Sequence, residues 1–359
     1  MSTEAVDKKM KILIPSDEVI NGYIHSLIKA YRDADCEVVA GRINFYLSNY
    51  KPDIVHIHWP EYLYDEYIVP FDKSGDVIAE RIHNYKEQGA KVVLTAHNIQ
   101  PHDEKKKKNR RRIYETIMES CDIIVHHGQA SIDLIKKEYP QASGKRHIIC
   151  PHGHYLIHYR EVSNKEARDY LKLPQNAFII LNFGNFQPYK GLELLRKIFR
   201  KWNHKDKLLL VAGSYEYKEN LLLKLFRKVK ELFGRFLGSE RLNFKKIKTK
   251  DMSYYFAAAD ILLLSHESGL NSGVLAMAAT YKKPVVFPDI GNFSEQMIGW
   301  IGESYRCSNV ESAVTALDAL AGKMEKGLKF DNSKWLTNNS WEIHVSRILS
   351  AISECSVYK

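Results

Sequence analysis

The chain has 359 residues, which is long for one compact domain and natural for two domains of roughly 150 residues each. Its formal net charge of +10 favours an anionic partner such as a nucleotide, a phospholipid surface or a nucleic acid. No apolar run approaches the roughly 18 residues of a membrane-spanning helix, and no signal peptide is evident, which predicts a cytoplasmic protein. No CxxC pair occurs either, so we expect the cysteines to be reduced thiols.

Short apolar runs rich in β-branched residues alternate along the chain with segments of helical periodicity. The runs lie at 11–15, 53–59, 91–98, 122–127, 147–150, 178–184, 207–213, 260–265 and 284–288. Helical spacing of apolar residues is clearest at 192–202 and 222–232. Continuous apolar runs that alternate with helices indicate buried parallel strands. The sequence therefore predicts an α/β protein with two Rossmann-like, doubly wound domains that face each other across a cleft.

A stretch with proline, glycine and many polar residues at 149–177 separates the two sets of runs. We therefore place a first domain at 1–155 and a second at 156–335. The tail at 336–359 has an amphipathic pattern, and we expect a terminal helix that packs back towards the first domain. No GxGxxG fingerprint occurs in the chain, which argues against a dehydrogenase.

The stretch 265–289 leads from one predicted strand through a polar turn and a helix to the next strand. The turn carries residues suited to a ligand: Glu267, Gly269, Asn271, Ser272 and Gly273. We expect the helix to begin near Ser272, so that its first N–H groups and its dipole form an anion site suited to pyrophosphate. A carboxylate at Glu267 would repel phosphate and suits sugar hydroxyls, a combination expected for a sugar diphosphate. The alternative is a Glu267 that only caps a turn or faces solvent.

These residues resemble the donor-site motif of GT-B glycosyltransferases, particularly the GT4-like glycosyl transferases group 1 family. The family pattern runs E-G-F-G-L, then E-A-M-A, then G-x-P-V-V. Glu267 matches its first glutamate, and Lys283, Pro284 and Val285 match its last segment. Leu275 stands where the family usually has a second glutamate for the nucleotide ribose. The resemblance therefore implies that ribose recognition comes from elsewhere.

The stretch 183–195 resembles the family motif G-R-x-x-x-x-K-G, in which Arg and Lys neutralise the donor phosphates. Lys190 and Gly191 match it, whereas Asn185 stands where arginine is usual. One phosphate cation is thus missing or supplied by another residue. Because a helix dipole disfavours lysine at a helix start, an anion close to Lys190 is indicated, with a solvated lysine as the alternative.

In the first half, Gly22 matches the glycine that lets a loop pass close to the donor phosphates. The stretches 53–62 and 92–104 resemble a bacterial subset of GT-B enzymes with HxHWPE and TxHNxxPH motifs. The resemblance places acceptor-side candidates in the first domain: His97 first, which could also contact the donor sugar, then His102, Glu61 and Asp65.

His56 and His58 alternate on one strand face, and we interpret them as buried, hydrogen-bonded histidines. A metal at this H-x-H pair is conceivable, but no third ligand is suitably spaced.

The run EKKKKNRRR at 104–112 predicts a mobile loop, or one ordered by a partner, because adjacent like charges repel. With the basic helix predicted at 221–236, Lys105–Arg112 could bind an anionic membrane surface on the inner face of the plasma membrane. A solvated basic face remains equally open. Nucleic-acid binding is not favoured, because no recognition module accompanies the charge.

These features predict a glycosyltransferase that moves a sugar from a UDP- or GDP-sugar to a hydroxyl of a glycan or lipid-linked acceptor, in bacterial surface polysaccharide synthesis. Its catalytic residues are predicted to be Glu267, Lys190 and His97. No cofactor or metal is expected, since no convincing DxD motif occurs. An inverting reaction would need a base, for which His97, Glu61 or Asp65 could serve, whereas family analogy favours retention. The alternatives are a GT-B epimerase and a noncatalytic basic adaptor.

Overall fold

The computed structural model describes residues 9–17, 21–64, 73–99, 107–214 and 238–357, with the backbone alone for 107–110 and 356–357. The helix predicted at 221–236 and the candidates Asp65 and His102 lie outside these ranges. Contacts between residues divide the chain into two units. Unit 1 comprises the residues up to Gly153 together with those from Asn338 onward, and unit 2 comprises His154–Thr337.

Unit 1 is built on a parallel sheet of six strands in the order β2-β1-β3-β4-β5-β6. The strands are β1 Lys11–Ile14, β2 Glu37–Ala40, β3 Ile54–His58, β4 Lys91–Thr95, β5 Ile123–His126 and β6 Arg146–Ile149. The helices are α1 Gly22–Asp33, α2 Arg42–Leu47, α3 Ser74–Glu87, α4 Lys107–Ser120, α5 Gln129–Glu138 and, from the end of the chain, α13 Trp341–Val357. Alternate residues of β1 enter different cores: Ile12 and Ile14 pack with α1 and α13, and Leu13 packs with α3, α4 and α5.

Unit 2 is built on a second parallel six-stranded sheet, in the order β12-β11-β10-β7-β8-β9. The strands are β7 Phe178–Phe183, β8 Lys207–Ala212, β9 Glu240–Asn243, β10 Ile261–Leu263, β11 Val285–Pro288 and β12 Gly302–Tyr305. The helices are α6 Asn164–Leu171, α7 Leu192–Lys201, α8 Thr249–Ala258, α9 Gly273–Thr280, α10 Phe293–Gln296, α11 Val310–Glu325 and α12 Ser333–Asn338. The predicted α/β class with two Rossmann-like sheets is confirmed.

Nine of the strands coincide with the apolar runs of the sequence, and three do not: β2, β9 and β12. All three lie at sheet edges, where they are only partly buried. An edge strand needs no continuous apolar run, because one side of it faces solvent. Their mixed composition therefore carries a weaker strand pattern than that of the central strands.

Each sheet reverses its direction of growth once. In unit 1 the chain moves outward from β1 to β2 and returns to β3, so the switch point lies between β1 and β3. In unit 2 it moves outward from β7 through β8 to β9 and returns to β10, so the switch point lies between β7 and β10. Open parallel sheets bind ligands at the carboxyl ends of their strands beside such a point.

The last helix of the chain completes the core of unit 1. Trp341 and Ile348 are buried among residues of α1 and the sheet. The ring of Trp341 lies against Gly153, where a Cβ atom would come within 2.1 Å of the indole. His344 Nδ1 donates to the carbonyl of Pro151 at 2.8 Å, and Arg347 donates to that of Ile149 at 2.8 Å. The chain segment that follows β6 is thereby held by α13.

The basic run at 104–112 does not form the loop that the sequence predicts, at least from Lys107 onward, because α4 begins there. Arg111 forms ion pairs with Glu115 at 2.9 Å and with Glu138 of α5 at 2.6 Å, and Arg112 pairs with Asp76 of α3. Acidic side chains of α4 itself and of the neighbouring helices α3 and α5 thus offset the repulsion that the sequence pattern implies.

Two strand histidines of unit 1 are fully buried and neutral. His56 bonds to the Tyr31 hydroxyl at 3.0 Å and to Thr95 Oγ1 at 2.8 Å, and burial lowers its pKa to about 3, with a contribution from His344. His126 bonds to Ser131 and His147, and burial lowers its pKa to about 3 as well, with contributions from His147 and Lys136. The expectation that His56 is a structural histidine is confirmed by these bonds.

These neutral histidines predict an acid-sensitive fold. The unfolded chain binds a proton at each of them below about pH 6.5, whereas the folded protein does not, so the free energy of unfolding is fully retained above that pH and falls below it. One such histidine accounts for about 2 kcal/mol between roughly pH 7.5 and pH 5. Denaturant unfolding at both pH values should show this loss. It should be smaller by about that amount in His126→Gln, and an equal loss in variant and wild type would contradict the assignment.

Candidate functional site

The connection from β7 to α7 forms one wall of the candidate site in unit 2. Gly184 follows the strand with a φ of +125°, a conformation that a residue with a side chain rarely adopts. A Cβ there would lie 3.3 Å from Lys190 Nζ and 3.4 Å from Val274 Cγ2 of α9. Asn185 is exposed, and its Oδ1 accepts from the Ser214 hydroxyl at 2.5 Å. The Lys190 ammonium thus lies over the end of β7, beside the first turn of α9.

The loop that follows β10 is docked directly onto this connection. The Ser265 hydroxyl donates to the carbonyl of Lys190 at 2.8 Å, and the Glu267 N–H donates to the carbonyl of Tyr189 at 2.7 Å. Gly191, with a φ of +59°, makes the approach possible, because a Cβ there would lie 2.2 Å from the Ser265 carbonyl oxygen and 3.1 Å from Glu267 Oε1. The exposed Glu267 carboxylate is therefore held beside Gly191 at the switch point between β7 and β10.

Helix α9 begins where the sequence predicts, but its first turn is arranged differently. Ser272 precedes the helix and makes no side-chain capping bond, and its N–H donates to Gln296 Oε1 at 3.0 Å. None of the described residues accepts a hydrogen bond from the N–H of Gly273 or Val274. Lys190 Nζ and the Val274 side chain both lie next to Gly184, so a cation and the positive end of a helix dipole are found in the same part of unit 2, which suits an anion.

The remaining residues of the polar turn support its shape. Gly269 lies in the exposed part of the loop with a φ of +153°, against the ring of Phe293. Asn271 accepts a hydrogen bond from Asn292 Nδ2 at 2.7 Å, which joins the loop to the segment after β11. Leu275, at the position of the family's second glutamate, is fully buried in the core beneath α9. It can therefore take no part in ligand binding without disrupting that core.

His266 is a site residue that the sequence analysis did not predict. It lies between Ser265 and Glu267, 5% exposed, with its ring against those of Tyr189 and Phe293. Its Nδ1 atom has no hydrogen-bond partner among the described residues. Burial, together with the Lys190 ammonium, lowers the pKa of His266 to about 3. Its position directly before the predicted Glu267 was the signal available in the sequence.

In unit 1 the switch point between β1 and β3 is occupied by the first turn of α1. Gly22 is its first residue, and Asn21 caps the helix by accepting from the Tyr23 N–H at 2.8 Å. The buried ring of Tyr23 then meets His58 at the end of β3, His97 after β4 and His127 after β5. Gly22 therefore marks the start of a helix that carries Tyr23 into the centre of a cluster.

His97 lies 8% exposed after β4, in contact with the end of β3. Its Nε2 is 3.0 Å from His58 Nδ1, and its ring stacks on that of Trp59 with centroids 4.0 Å apart. Trp59 has a φ of +43°, a left-handed conformation that is unusual for a bulky residue, and more so directly before a proline. Burial and the neighbouring histidines lower the pKa of His97 well below its usual range.

Three further histidines surround Tyr23, and the sequence analysis did not predict them as site residues: His127, His152 and His344. Each is neutral because burial lowers its pKa, and each Nδ1 faces a backbone carbonyl, of Cys150, Gly153 and Pro151 respectively. The Tyr23 hydroxyl lies 3.5 Å from Nε2 of His127 and 3.4 Å from Nε2 of His344. Its place at the end of the apolar run 122–127 was the sequence signal for His127.

Glu61, a predicted acceptor-side residue, lies in the interior of unit 1. It is 4% exposed, and its Oε2 accepts a hydrogen bond from the Tyr114 hydroxyl at 2.5 Å. This bond ties the short 3-10 helix Pro60–Tyr62 to α4. The Oε2 atom of Glu61 is therefore engaged within the fold of unit 1.

The described parts of the chain contain neither a cluster of metal ligands nor a membrane-spanning helix. In those ranges no three His, Cys, Asp or Glu side chains are grouped so that they could hold a metal ion. None of the described helices combines the length and the apolar character that crossing a membrane requires. All five cysteines are unpaired thiols, as the sequence predicts.

Comparison with known proteins connects this geometry to a family. Residues 163–332 match the family model described as glycosyl transferases group 1. A curated relative from Xanthomonas campestris pv. campestris, GDP-mannose:glycolipid 4-beta-D-mannosyltransferase, is 22% identical over 279 residues, which are 75% of this chain and 70% of the relative.

Solved structures share the fold. Sucrose-phosphate synthase from Thermosynechococcus elongatus superposes with a TM-score of 0.72 at 13% identity, covering 98% of this chain and 100% of that one. HepE from Anabaena in complex with UDP-glucose superposes with a TM-score of 0.67 at 15% identity, again covering 98% and 100%. Residues 163–332 therefore match the glycosyl transferases group 1 family, and the chain is a glycosyltransferase with the GT-B fold.

Proposed function

We propose that the chain transfers a sugar from a nucleotide-sugar donor, a UDP- or GDP-sugar, to a hydroxyl group of a glycan or a lipid-linked acceptor. One observation carries the proposal. The Lys190 ammonium, the first turn of α9 and the Glu267 carboxylate meet at the switch point between β7 and β10. A cation and a helix N-terminus bind the diphosphate, and a carboxylate binds sugar hydroxyls.

The diphosphate lies against Lys190 and the N–H groups of Gly273 and Val274, because the N–H of Ser272 is already bonded to Gln296. Charge that develops on the leaving nucleotide is stabilised there without reorganisation of the site. Since these groups neutralise the phosphates, transfer proceeds without a divalent metal. Glu267 accepts hydrogen bonds from the sugar ring and orients the anomeric carbon, and by family analogy the configuration is retained.

The acceptor binds to unit 1, with His97 as the main contact at the end of β4. Neutral imidazoles and aromatic rings suit hydroxyl groups and the faces of sugar rings better than they suit anions. The glycolipid named in the mannosyltransferase relative supports a lipid-linked acceptor, and with it a role in bacterial surface polysaccharide synthesis. Gly22, which begins the helix that carries Tyr23, belongs to the same end of unit 1.

Removal of either charged group should lower sugar transfer. Glu267→Ala and Lys190→Ala are each expected to cost about 2 kcal/mol or more of transition-state stabilisation, roughly 30-fold in kcat/KM, measured with a panel of UDP- and GDP-sugars. Lys190→Ala should also weaken binding of the free nucleoside diphosphate. Glu267→Ala should leave that binding unchanged and weaken binding of the intact nucleotide sugar, because it contacts only the sugar.

Lys197→Ala on the exposed side of α7 and Glu325→Ala at the end of α11 remove the same charges away from the site and serve as matched controls. Unchanged kcat/KM in both site variants would overturn the assignment. Interconversion of donor sugars without an acceptor would show an epimerase. Donor binding without any turnover would show an adaptor. Activity lost on addition of a chelator and restored by a divalent metal would refute the metal-independent mechanism.

We further propose that Lys105–Arg112 contributes to binding of an anionic membrane surface, which would bring the enzyme to a lipid-linked acceptor. Each basic residue near such a surface adds on the order of 1 kcal/mol. Arg111 and Arg112 already form ion pairs within unit 1, so the lysines that precede them would provide most of the attraction to an anionic membrane.

Flotation of the protein with vesicles that contain anionic lipid tests this attraction. Replacement of Lys105–Lys108 by glutamine should reduce the floated fraction, and high salt should reduce it for the wild type. Vesicles of neutral lipid are the control. Equal flotation of variant and wild type would refute a role for these lysines.

A further inference from the structure

The segment that follows β11 holds the polar turn before α9 at three consecutive residues. The N–H of Asn292 donates to the carbonyl of Leu270 at 2.9 Å, and Asn292 Nδ2 donates to Asn271 Oδ1 at 2.7 Å. The N–H of Ser272 donates to Gln296 Oε1 at 3.0 Å, and both of these residues are buried. The last of the three bonds holds the residue from which α9 begins.

Gln296 is itself held on both sides of its backbone. It lies 6% exposed in α10, where its N–H donates to the Asn292 carbonyl at 2.8 Å and its carbonyl accepts from the Trp335 indole at 3.2 Å. Only the oxygen of its side-chain amide can accept from a main-chain N–H, so Oε1 faces Ser272. Its Nε2 atom is enclosed without a hydrogen-bond partner among the described residues. Because a buried donor without an acceptor is unfavourable, the bond of Oε1 to Ser272 is made at a cost to the stability of the fold.

The start of α9 is held by this bond and not by the usual N-terminal cap. A serine before a helix normally accepts a main-chain N–H of the first turn with its own hydroxyl, whereas Ser272 makes no such bond. Its N–H is instead bonded by a side chain from another element. The N–H groups of Gly273 and Val274 follow directly, and none of the described residues accepts a hydrogen bond from them. Gln296 thus fixes the peptide group that precedes these two donors.

We propose that Gln296 is a positioning residue for the donor diphosphate, whose neutral amide oxygen orients the start of α9 so that the N–H groups of Gly273 and Val274 face the phosphate oxygens. This deepens the proposed function, on which it rests for the identity of the anion. Neutrality matters because a carboxylate at this place would offset the positive end of the helix dipole. A glutamine bonds to Ser272 and leaves that positive potential to the anion.

The first test observes the bond without any ligand. Amide hydrogen exchange, followed at single residues by NMR spectroscopy of the free protein, should be slow at Ser272 and rapid at Gly273 and Val274. Gln296→Met keeps the length of the side chain and removes the acceptor, so exchange at Ser272 should accelerate on the order of tenfold. Gln296→Glu keeps an acceptor, so Ser272 should remain protected. Equal exchange at Ser272 in the wild type and in Gln296→Met overturns the proposal whether or not sugar transfer has been detected.

The second test measures affinity for UDP, GDP and inorganic pyrophosphate, which carry the diphosphate without the sugar. Gln296→Met should bind them roughly fivefold to tenfold more weakly, because the two N–H donors are no longer held in place. Gln296→Glu at pH 8 should bind them on the order of tenfold more weakly although Ser272 remains protected, because a negative charge lies next to the helix start. A residue that only stabilises the fold would not separate these two readouts.

The outcomes distinguish this role from the proposed function. If the wild type binds none of the three probes, the proposed function fails, and the role of Gln296 towards a diphosphate fails with it. If the wild type binds them and both variants at position 296 bind them equally well, the role of Gln296 alone is overturned. Loss of affinity in both variants, with Ser272 protected only in Gln296→Glu, supports the proposal.

Gln175→Met and Gln175→Glu are the matched controls, because Gln175 is exposed just before β7, at the opposite end of that strand from the site. They should change neither exchange at Ser272 nor affinity for the probes. Trp335→Phe removes the indole donor to Gln296 and reports what a loosened α10 costs. If it lowers affinity as much as Gln296→Met while Ser272 stays protected, the positioning role is refuted. If Gln296→Met does not fold, exchange in the wild type and affinity in Gln296→Glu still decide.

Discussion

The docking of the loop after β10 onto the loop after β7 is the interaction on which the proposed donor site depends. Two hydrogen bonds carry it, from Ser265 to the carbonyl of Lys190 and from the Glu267 N–H to the carbonyl of Tyr189. The approach is possible because position 191 has no side chain, since a Cβ there would lie 2.2 Å from the Ser265 carbonyl oxygen. The parallel order of the sheet brings both loops to the same edge, and Gly191 lets them touch.

The two units present different chemistry at the carboxyl ends of their strands. In unit 2 a lysine ammonium and a helix N-terminus lie together, which favours an anion. In unit 1 the corresponding ends carry neutral imidazoles around Tyr23, because burial keeps these histidines from taking up a proton. A neutral site lined by aromatic rings and N–H donors suits a polyhydroxylated molecule. This difference agrees with a phosphorylated donor on unit 2 and a hydroxyl acceptor on unit 1.

Two departures from the family pattern have a structural consequence in unit 2. Leu275 stands where the family pattern has a glutamate and is packed in the core, so this position of helix α9 offers no side chain to the proposed donor. Asn185 replaces a phosphate-binding arginine and is bonded to Ser214. His266, buried beside Lys190 with an unbonded Nδ1 among the described residues, is the additional polar group in this part of the site. The proposed donor site is therefore less charged than the family pattern implies.

The sequence by itself determined the central strands, the α/β class and the positions in the chain where candidate ligand residues lie. Buried parallel strands must be apolar throughout, and residues such as Lys190, Glu267 and His97 follow such runs. It did not reveal β2, β9 and β12, because edge strands are half exposed and of mixed composition.

Nor did the sequence show that Glu61 is bonded to Tyr114, that Gln296 accepts a hydrogen bond from the N–H of Ser272, or that His58 faces His97. Those partners are 24 to 53 positions apart, and only the order of strands in each sheet brings them together. Strand character follows from local composition, whereas the role of a polar side chain follows from neighbours that are distant in sequence.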